Sequence, residues 1–473
     1  MPPEIDLLAV DRGSVTAPAG CGKTQLIADT LQLHDGAKPF LILTHTNAGA
    51  AALRLRMKRG GVSSSKYRVA TLDGFAMRLI AAFPKRSGHN PKVLQLANAK
   101  TDYPAIREAT LGLLKAGHLT QTLRATYARL IVDEYQDCNI VQHGIVDALA
   151  SALPTVVLGD PLQAIFGFAG RLVDWKTEVW PAFPAVGRLM TPWRWINAGT
   201  EPLGRWLIEI RKDLLNRRPV DISKAPPELV WVRLDPADPE GTRRTAALTR
   251  LEGQERNILI IGDAKNPRGR HQLTSQTRGA TSVEAVDMSD LTGFARNLDL
   301  ESEGALGTLV GFYGELMTGV GAAELCKRVT TIRGGRNKTE PTEVERSAVA
   351  FSEAPSMNTA LSLLQTLEDQ PNTRTYRPDM LHCCRTAMRS AASGKVSFLD
   401  AVLATRERNR HEGRPIGRRA VGSTLLLKGL EADAAVILEP EQMTPPNLYV
   451  AMTRGARRLV ICSASQTLTP ARS

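Results

Sequence analysis

The chain has 473 residues, room for roughly two to four domains and a large core, and its 43% hydrophobic and 23% charged content is that of an ordinary globular protein. Sixty Lys and Arg against 48 Asp and Glu give a formal net charge of +12, which points to a polyanionic partner, nucleic acid before membrane. No apolar run is long enough to span a bilayer. The six cysteines lack both C-x-x-C and metal-site spacing, which predicts reduced thiols in a cytoplasmic protein.

In chain order, the first informative stretch is Gly13-Ser14-Val15 running into Thr16-Ala17-Pro18-Ala19-Gly20-Cys21-Gly22-Lys23-Thr24, followed by a predicted helix over Gln25–Leu31. A strand, a turn of small residues, Gly-Lys-Thr and a helix form the phosphate-binding loop of nucleotide hydrolases. Triphosphate is densely anionic, so the turn must offer backbone N–H groups and let the phosphates approach closely. Gly20 and Gly22 permit that approach, and the new helix adds its positive end. Lys23 is placed to reach the β- and γ-phosphates, and the Thr24 hydroxyl to hold Mg²⁺. Ala17 occupies the position of the first glycine in the strict pattern.

Pro39–Thr44 reads as a buried parallel strand, with a helix over Ala48–Met57 after it. Between them, Thr46 and Asn47 stand at a strand's carboxyl end. There they either contact a phosphodiester backbone or cap the helix. A second unit runs from Tyr67–Leu72 into Asp73-Gly74-Phe75, and 84–128 reads as helical without a chemical motif. The strand Ala128–Val132 ends in Asp133-Glu134, the acidic partner that a phosphate loop requires: Asp133 to complete the Mg²⁺ shell, Glu134 to orient and deprotonate water. Thr155–Asp160 is a further strand. It delivers Gln163, able to sense the γ-phosphate, and the spaced aromatics Phe166 and Phe168, able to stack bases.

Taken together these residues resemble the UvrD/Rep/PcrA family of superfamily 1 helicases. The fragments stand in the family's order: AxAGxGKT at Ala17–Thr24, Thr46-Asn47, T-[IL]-x-x-F at Thr71–Phe75, DExQD at Asp133–Asp137, and GDxxQxIYxF at Gly159–Phe168. Pro192-Trp193-Arg194 follows for NYR, then Lys428-Gly429-Leu430-Glu431 for KGLE, and Tyr449–Arg454 for YVAxTR. The resemblance implies an α/β fold of two RecA-like parallel-sheet motor domains facing each other over ATP, each with a largely helical insertion. The first motor domain is expected over 1–74 and 122–188 with an insertion at 75–121. The second is expected over 189–288 and 415–473, with an insertion at 289–414.

By the same resemblance, Ala17–Thr24, Trp193, Arg194, Glu431 and Arg454 bind the nucleotide. Glu134, Lys23, Gln163, Arg194 and Arg454 are expected to catalyse, with Thr24 and Asp133 on Mg²⁺. Thr46, Asn47, Phe75, Phe166, Phe168 and Arg171 are expected on DNA. Trp193 stacks on the base, Glu431 touches the ribose, and Arg454 is expected at the start of a helix. The implied activity is ATP hydrolysis driving movement on single-stranded or tailed DNA, 3′ to 5′.

Departures from the family are visible. No glutamine precedes the phosphate loop to read adenine, Leu425 replaces the histidine ahead of KGLE, and Ala169 replaces an arginine for which Arg171 could compensate. In the insertion, Thr331–Thr342 and Arg406–Arg419 read as loops or edges of the insertion; the second either grips nucleic acid or is a solvated basic loop. A second functional class also fits. Small helicase-like proteins, the helicase-like component of the Gabija anti-phage system among them, serve as nucleotide-responsive subunits beside a nuclease. The DEYQD box and Thr71–Phe75 resemble theirs, and no nuclease motif appears in this chain.

Overall fold

The computed structural model describes residues 4–96, 98–167, 170–251, 256–285, 287–409 and 417–471. It divides into two compact units: Met1–Val230 with Pro440–Leu459 and Ser465–Ser473, and Trp231–Glu439 with Val460–Ala464.

The first unit is built on six strands: β1 (Arg12–Thr16), β2 (Phe40–Thr44), β3 (Tyr67–Thr71), β4 (Arg129–Val132), β5 (Thr155–Gly159) and β6 (Ala185–Arg188). They pair in parallel in the order β3-β2-β4-β5-β1-β6. Strands β2, β4 and β5 are buried along their whole length, which is why they read as unbroken apolar runs. One face is covered by α1 (Lys23–Leu33) and α2 (Asn47–Arg59), whose Leu26, Ile27, Leu31, Leu53 and Met57 pack on Val15, Ile42, Ile131 and Val156. The other is covered by α3 (Leu72–Ala82) and by the helices Ala99–Lys115 and Ile140–Ala150.

The helices between β3 and β4 therefore share the core of the sheet. Asp73 fastens them: it accepts from Arg107 Nε and Nη2 at 2.7 and 2.6 Å and from Gln142 Nε2 at 3.1 Å.

A second six-stranded sheet runs Ala280–Ser282, Arg419–Gly422, Ile258–Ile261, Ala432–Ile437, Gly455–Ser463, Leu229–Arg233. Its first three pairings are parallel. Two such sheets with their helices are the expected pair of RecA-like folds. Within the second unit, residues 288–402 contribute a separate, almost wholly helical core around Leu309, Tyr313, Phe351, Leu363 and Met388. The buried Arg377 ties that helical body to the end of the sheet through Glu284, at 2.8 and 2.7 Å, and Asp290, at 2.7 Å.

Several expected boundaries move. Thr331–Arg333 are not loop: the helix Ala322–Arg333 runs through them, because the turn begins only at Gly334-Gly335. The helix Phe398–Asn409 likewise takes in Arg406 and Arg408, while residues 410–416 lie outside the described residues. Arg454 does not open a helix. The helix here is Pro445–Met452, started by two prolines that fit its first turn, and Gly455–Ser463 is already strand.

Among the described residues no helix is long and apolar enough to cross a membrane.

Candidate nucleotide site

Strand β5 lies between β1 and β4, so the carboxyl ends of these three neighbours bring the phosphate loop, Asp160-Gln163 and Asp133-Glu134 to one edge of the sheet. This is the edge at which open α/β sheets bind ligands. The loop is anchored by Ala17 N donating to Gly159 O at 2.9 Å and closed by Cys21 N on Pro18 O at 3.2 Å. Gly20 and Gly22 have φ of +70° and +87°. At Gly20 a Cβ would also stand 2.7 Å from Trp195 and 2.9 Å from Arg194, so only glycine fits twice over. Gly22 leads into α1 with no side chain capping the helix, which leaves its first turn to an anion.

Lys23 Nζ donates to Glu134 Oε1 at 2.7 Å. Burial works against the ammonium, yet Glu134 and Asp133 outweigh it and hold the Lys23 pKa above its usual value. Glu134 sits in the left-handed region at φ 57°, ψ 40°, an uncommon and costly backbone for a glutamate that aims its carboxylate at Lys23. Its other oxygen accepts from Gln136 Nε2. Asp133 is buried, and burial, partly offset by Lys23, pushes its carboxyl up to about 6. Its Oδ1 has no hydrogen-bond partner. A buried, unpartnered carboxylate oxygen is costly unless a cation takes it, so Asp133, with the half-buried Thr24 at the start of α1, fits a divalent metal ion.

The segment Trp193–Trp195 closes over the loop. Arg194 N donates to Gly20 O at 3.1 Å, and Arg194 Nη1 to Thr453 O at 2.5 Å. Trp195 is buried, its Nε1 on Gly455 O at 3.1 Å, and Thr200 Oγ1 reaches Ala456 O at 2.6 Å. Phosphate loop, Arg194 and Thr453-Arg454 are thus brought together within the first unit. Arg454 itself is 3% exposed, its Nε on Val450 O at 2.8 Å and an Nη on Thr453 Oγ1 at 3.1 Å. The Trp193 ring lies against Gly22, its Cδ1 3.1 Å from where a Cβ would stand, and the residue is 38% exposed.

Glu431 is exposed and belongs to the second unit. Of the residues expected on DNA, Thr46 caps α2 by accepting from Gly49 N at 2.9 Å, and Asn47 is exposed as the helix's first residue. Phe75 is 5% exposed in the core, Phe166 is half-buried, and Arg171 pairs with Glu178. Phe168 lies outside the described residues.

Three contributors have roles the sequence does not assign, although Gln136 lies inside the Asp133–Asp137 box. Gln136 Oε1 accepts from Asp160 N at 3.0 Å, joining β4's end to β5's. Arg211 pairs with Asp160, and Trp195 packs against Gly20. Each acts across a long sequence separation, which a local pattern does not reveal.

Two expectations follow from this geometry. An exposed indole against the loop stacks on any base, and selectivity needs hydrogen bonds to base edges. The protein should therefore hydrolyse ATP and GTP with comparable catalytic efficiency, and a strong preference for ATP would require another residue that reads adenine. Cys21, inside the loop, is 1% exposed, and burial, against the pull of Arg211, pushes its thiol up to about 12. Below that pH it stays protonated, and only the thiolate is the nucleophile. Iodoacetamide at pH 8 should leave Cys21 unlabelled in native protein and label it in denaturant. Rapid native labelling in peptide mass maps would contradict this burial.

Residues 94–175, holding the Asp133–Asp137 box and Gln163, match the model of the UvrD/REP helicase N-terminal domain. Over this stretch the chain is UvrD-like. The UvrD-like match stops short of the phosphate loop, which the geometry above joins to it through Lys23 and Glu134. No curated protein sequence matches the chain. Among solved structures, the Pif1 helicase from Candida albicans is similar over 98% of this chain and 94% of its own, at 10% identity and a TM-score of 0.41. Arterivirus nonstructural protein 10, a helicase solved with DNA, is similar over 57% of this chain at 11% identity and a TM-score of 0.29. The chain spans about half of that protein, 52%.

Proposed function

We propose that this UvrD-like chain is a nucleic-acid-stimulated ATPase that moves on single-stranded or tailed DNA, 3′ to 5′. The observation that carries the proposal is the Lys23–Glu134 pair beneath a glycine-built loop, beside a buried Asp133 oxygen that lacks a partner. Motor segments at 1–74 and 122–188 and at 189–288 and 415–473, with insertions at 75–121 and 289–414, are part of the same reading.

Lys23 leaves Glu134 for the β- and γ-phosphate oxygens, since a phosphate carries more charge than one carboxylate. Glu134, released but still held by Gln136, accepts a proton from water. The water oxygen bonds to the γ-phosphorus as the bond to the bridging oxygen breaks, giving ADP and phosphate. Thr24 and Asp133 would hold Mg²⁺, which neutralises charge on those oxygens. Gln163 reports the γ-phosphate, and Arg194 and Arg454 neutralise charge developing on the transferred group. Trp193 stacks on the base, and Glu431 is the residue proposed for the ribose.

A second reading has a specific observation behind it. Thr46 is used as a cap, Phe75 is buried and Arg171 is paired, so three residues expected on DNA are already engaged. That favours a nucleotide-responsive subunit beside a nuclease, with little unwinding of its own. ATP turnover and strand displacement, measured with and without 3′-tailed DNA, separate the two. Stimulated turnover with unwinding supports the motor; stimulated turnover without unwinding supports the subunit; absence of turnover overturns both.

A further inference from the structure

Asp160 is fully buried at the end of β5 and every one of its oxygens is used. Oδ1 accepts from Leu162 N at 3.1 Å and Arg211 Nη2 at 2.6 Å; Oδ2 accepts from Gln163 Nε2 and Arg211 Nη1, each at 2.8 Å. Its backbone N reaches Gln136, which holds Glu134. Arg211, 8% exposed, also lies 4.8 Å over the ring of the buried Tyr449. Tyr449 stands in the helix Pro445–Met452, directly before Thr453-Arg454.

A merely structural ion pair would not need this placement. Charged pairs buried this deeply contribute little net stability, because desolvation offsets their attraction. Here the pair sits between the catalytic carboxylate's support, the γ-phosphate sensor and the arginine-bearing helix end.

We propose that Arg211 is a positioning residue: its planar fork fixes Asp160, and through it Gln163, while its stacking on Tyr449 keeps the Thr453-Arg454 turn in register with that sensor. This deepens the hydrolysis reading above and rests on it. The two bonds of this bidentate pair set the angle of the Asp160 carboxylate, which in turn sets where the Gln163 amide points. A lysine carries the charge but makes no such fork.

The test uses the full chain and three variants, Arg211→Lys, Arg211→Gln and the neutral pair Asp160→Asn/Arg211→Gln. Thermal melting checks folding, and binding of a fluorescent ATP analogue is measured apart from turnover. In Arg211→Lys, turnover should fall about 10²-fold, as a displacement of roughly 1 Å does, while KM and analogue affinity stay near parental. The neutral pair, free of a lone buried charge, should fold as well as the parent yet turn over slowly. Parental turnover in both Arg211→Lys and the neutral pair overturns the inference. So does a loss confined to KM, or one that disappears at temperatures where both variants are fully folded. If the parent and Glu134→Gln are equally inactive, the hydrolysis reading fails and takes this inference with it. An active parent, an inactive Glu134→Gln and parental turnover in both Arg211→Lys and the neutral pair sink this inference alone.

Discussion

Glu134→Gln should bind nucleotide as the parent does and turn it over about 10²–10⁴ times more slowly, the worth of a positioned general base. The amide keeps the shape of the carboxylate and its one oxygen can still accept from Lys23, while the bond from Gln136 Nε2 is lost because the amide NH2 is itself a donor. What it loses is the ability to take a proton. Lys23→Ala should fail in the opposite sense. It removes a charge-assisted contact to phosphate, and nucleotide affinity should fall by about ten- to a hundredfold. It also removes the cation that partly offsets the burial of Asp133, so that carboxyl should protonate more readily. Equilibrium binding and single-turnover hydrolysis separate the two losses. Parental hydrolysis by Glu134→Gln would remove Glu134 from the reaction.

Arg454→Ala carries the other large expectation. In phosphoryl-transfer enzymes an arginine at the developing charge contributes roughly 10³–10⁵ in rate. The structure holds this turn against the phosphate loop through Arg194 on Thr453 O and Trp195 on Gly455 O. Among its guanidinium's partners are Val450 O and Thr453 Oγ1, both neutral acceptors. A phosphate oxygen is a better one, so exchange toward nucleotide is favourable. DNA-stimulated turnover should collapse in Arg454→Ala while nucleotide and single-strand binding persist. Arg454→Lys should recover little, since a point charge lacks the fork. Turnover near the parental rate would assign Arg454 to capping its helix and nothing more.

The phosphate loop, Asp133-Glu134 and the strands beneath them were legible because their chemistry is local. A buried parallel strand must be apolar, and phosphates demand glycine, Lys and Thr at set offsets from it. The edges of the helices were less legible: at Arg406–Asn409 charge hid a helical continuation that the core decides through Phe398 and Val402. At Arg454 the motif points to a helix start, but Pro445 starts the helix nine residues earlier and Gly455 already begins a strand. Arg211 was invisible. Its helix is an ordinary charged stretch, and only packing brings it to Asp160, 51 residues back. Phe75 shows the converse: a motif marks an aromatic residue, but whether a base can reach it depends on helices packed over it.

The discontinuity of the first unit has a consequence for biosynthesis. The contact between Arg194 and Thr453 joins residues 259 positions apart, with nearly the whole second unit made in between. At ribosomal speeds that interval is on the order of tens of seconds. During it the nascent first sheet carries a finished phosphate loop, while Trp195 and Arg211 still await the strand and helix that cover them. A chaperone present at that stage would meet exposed indole and an unshared Asp160–Arg211 pair. Nucleotide added to such stalled chains would find a binding loop before it found a hydrolytic one.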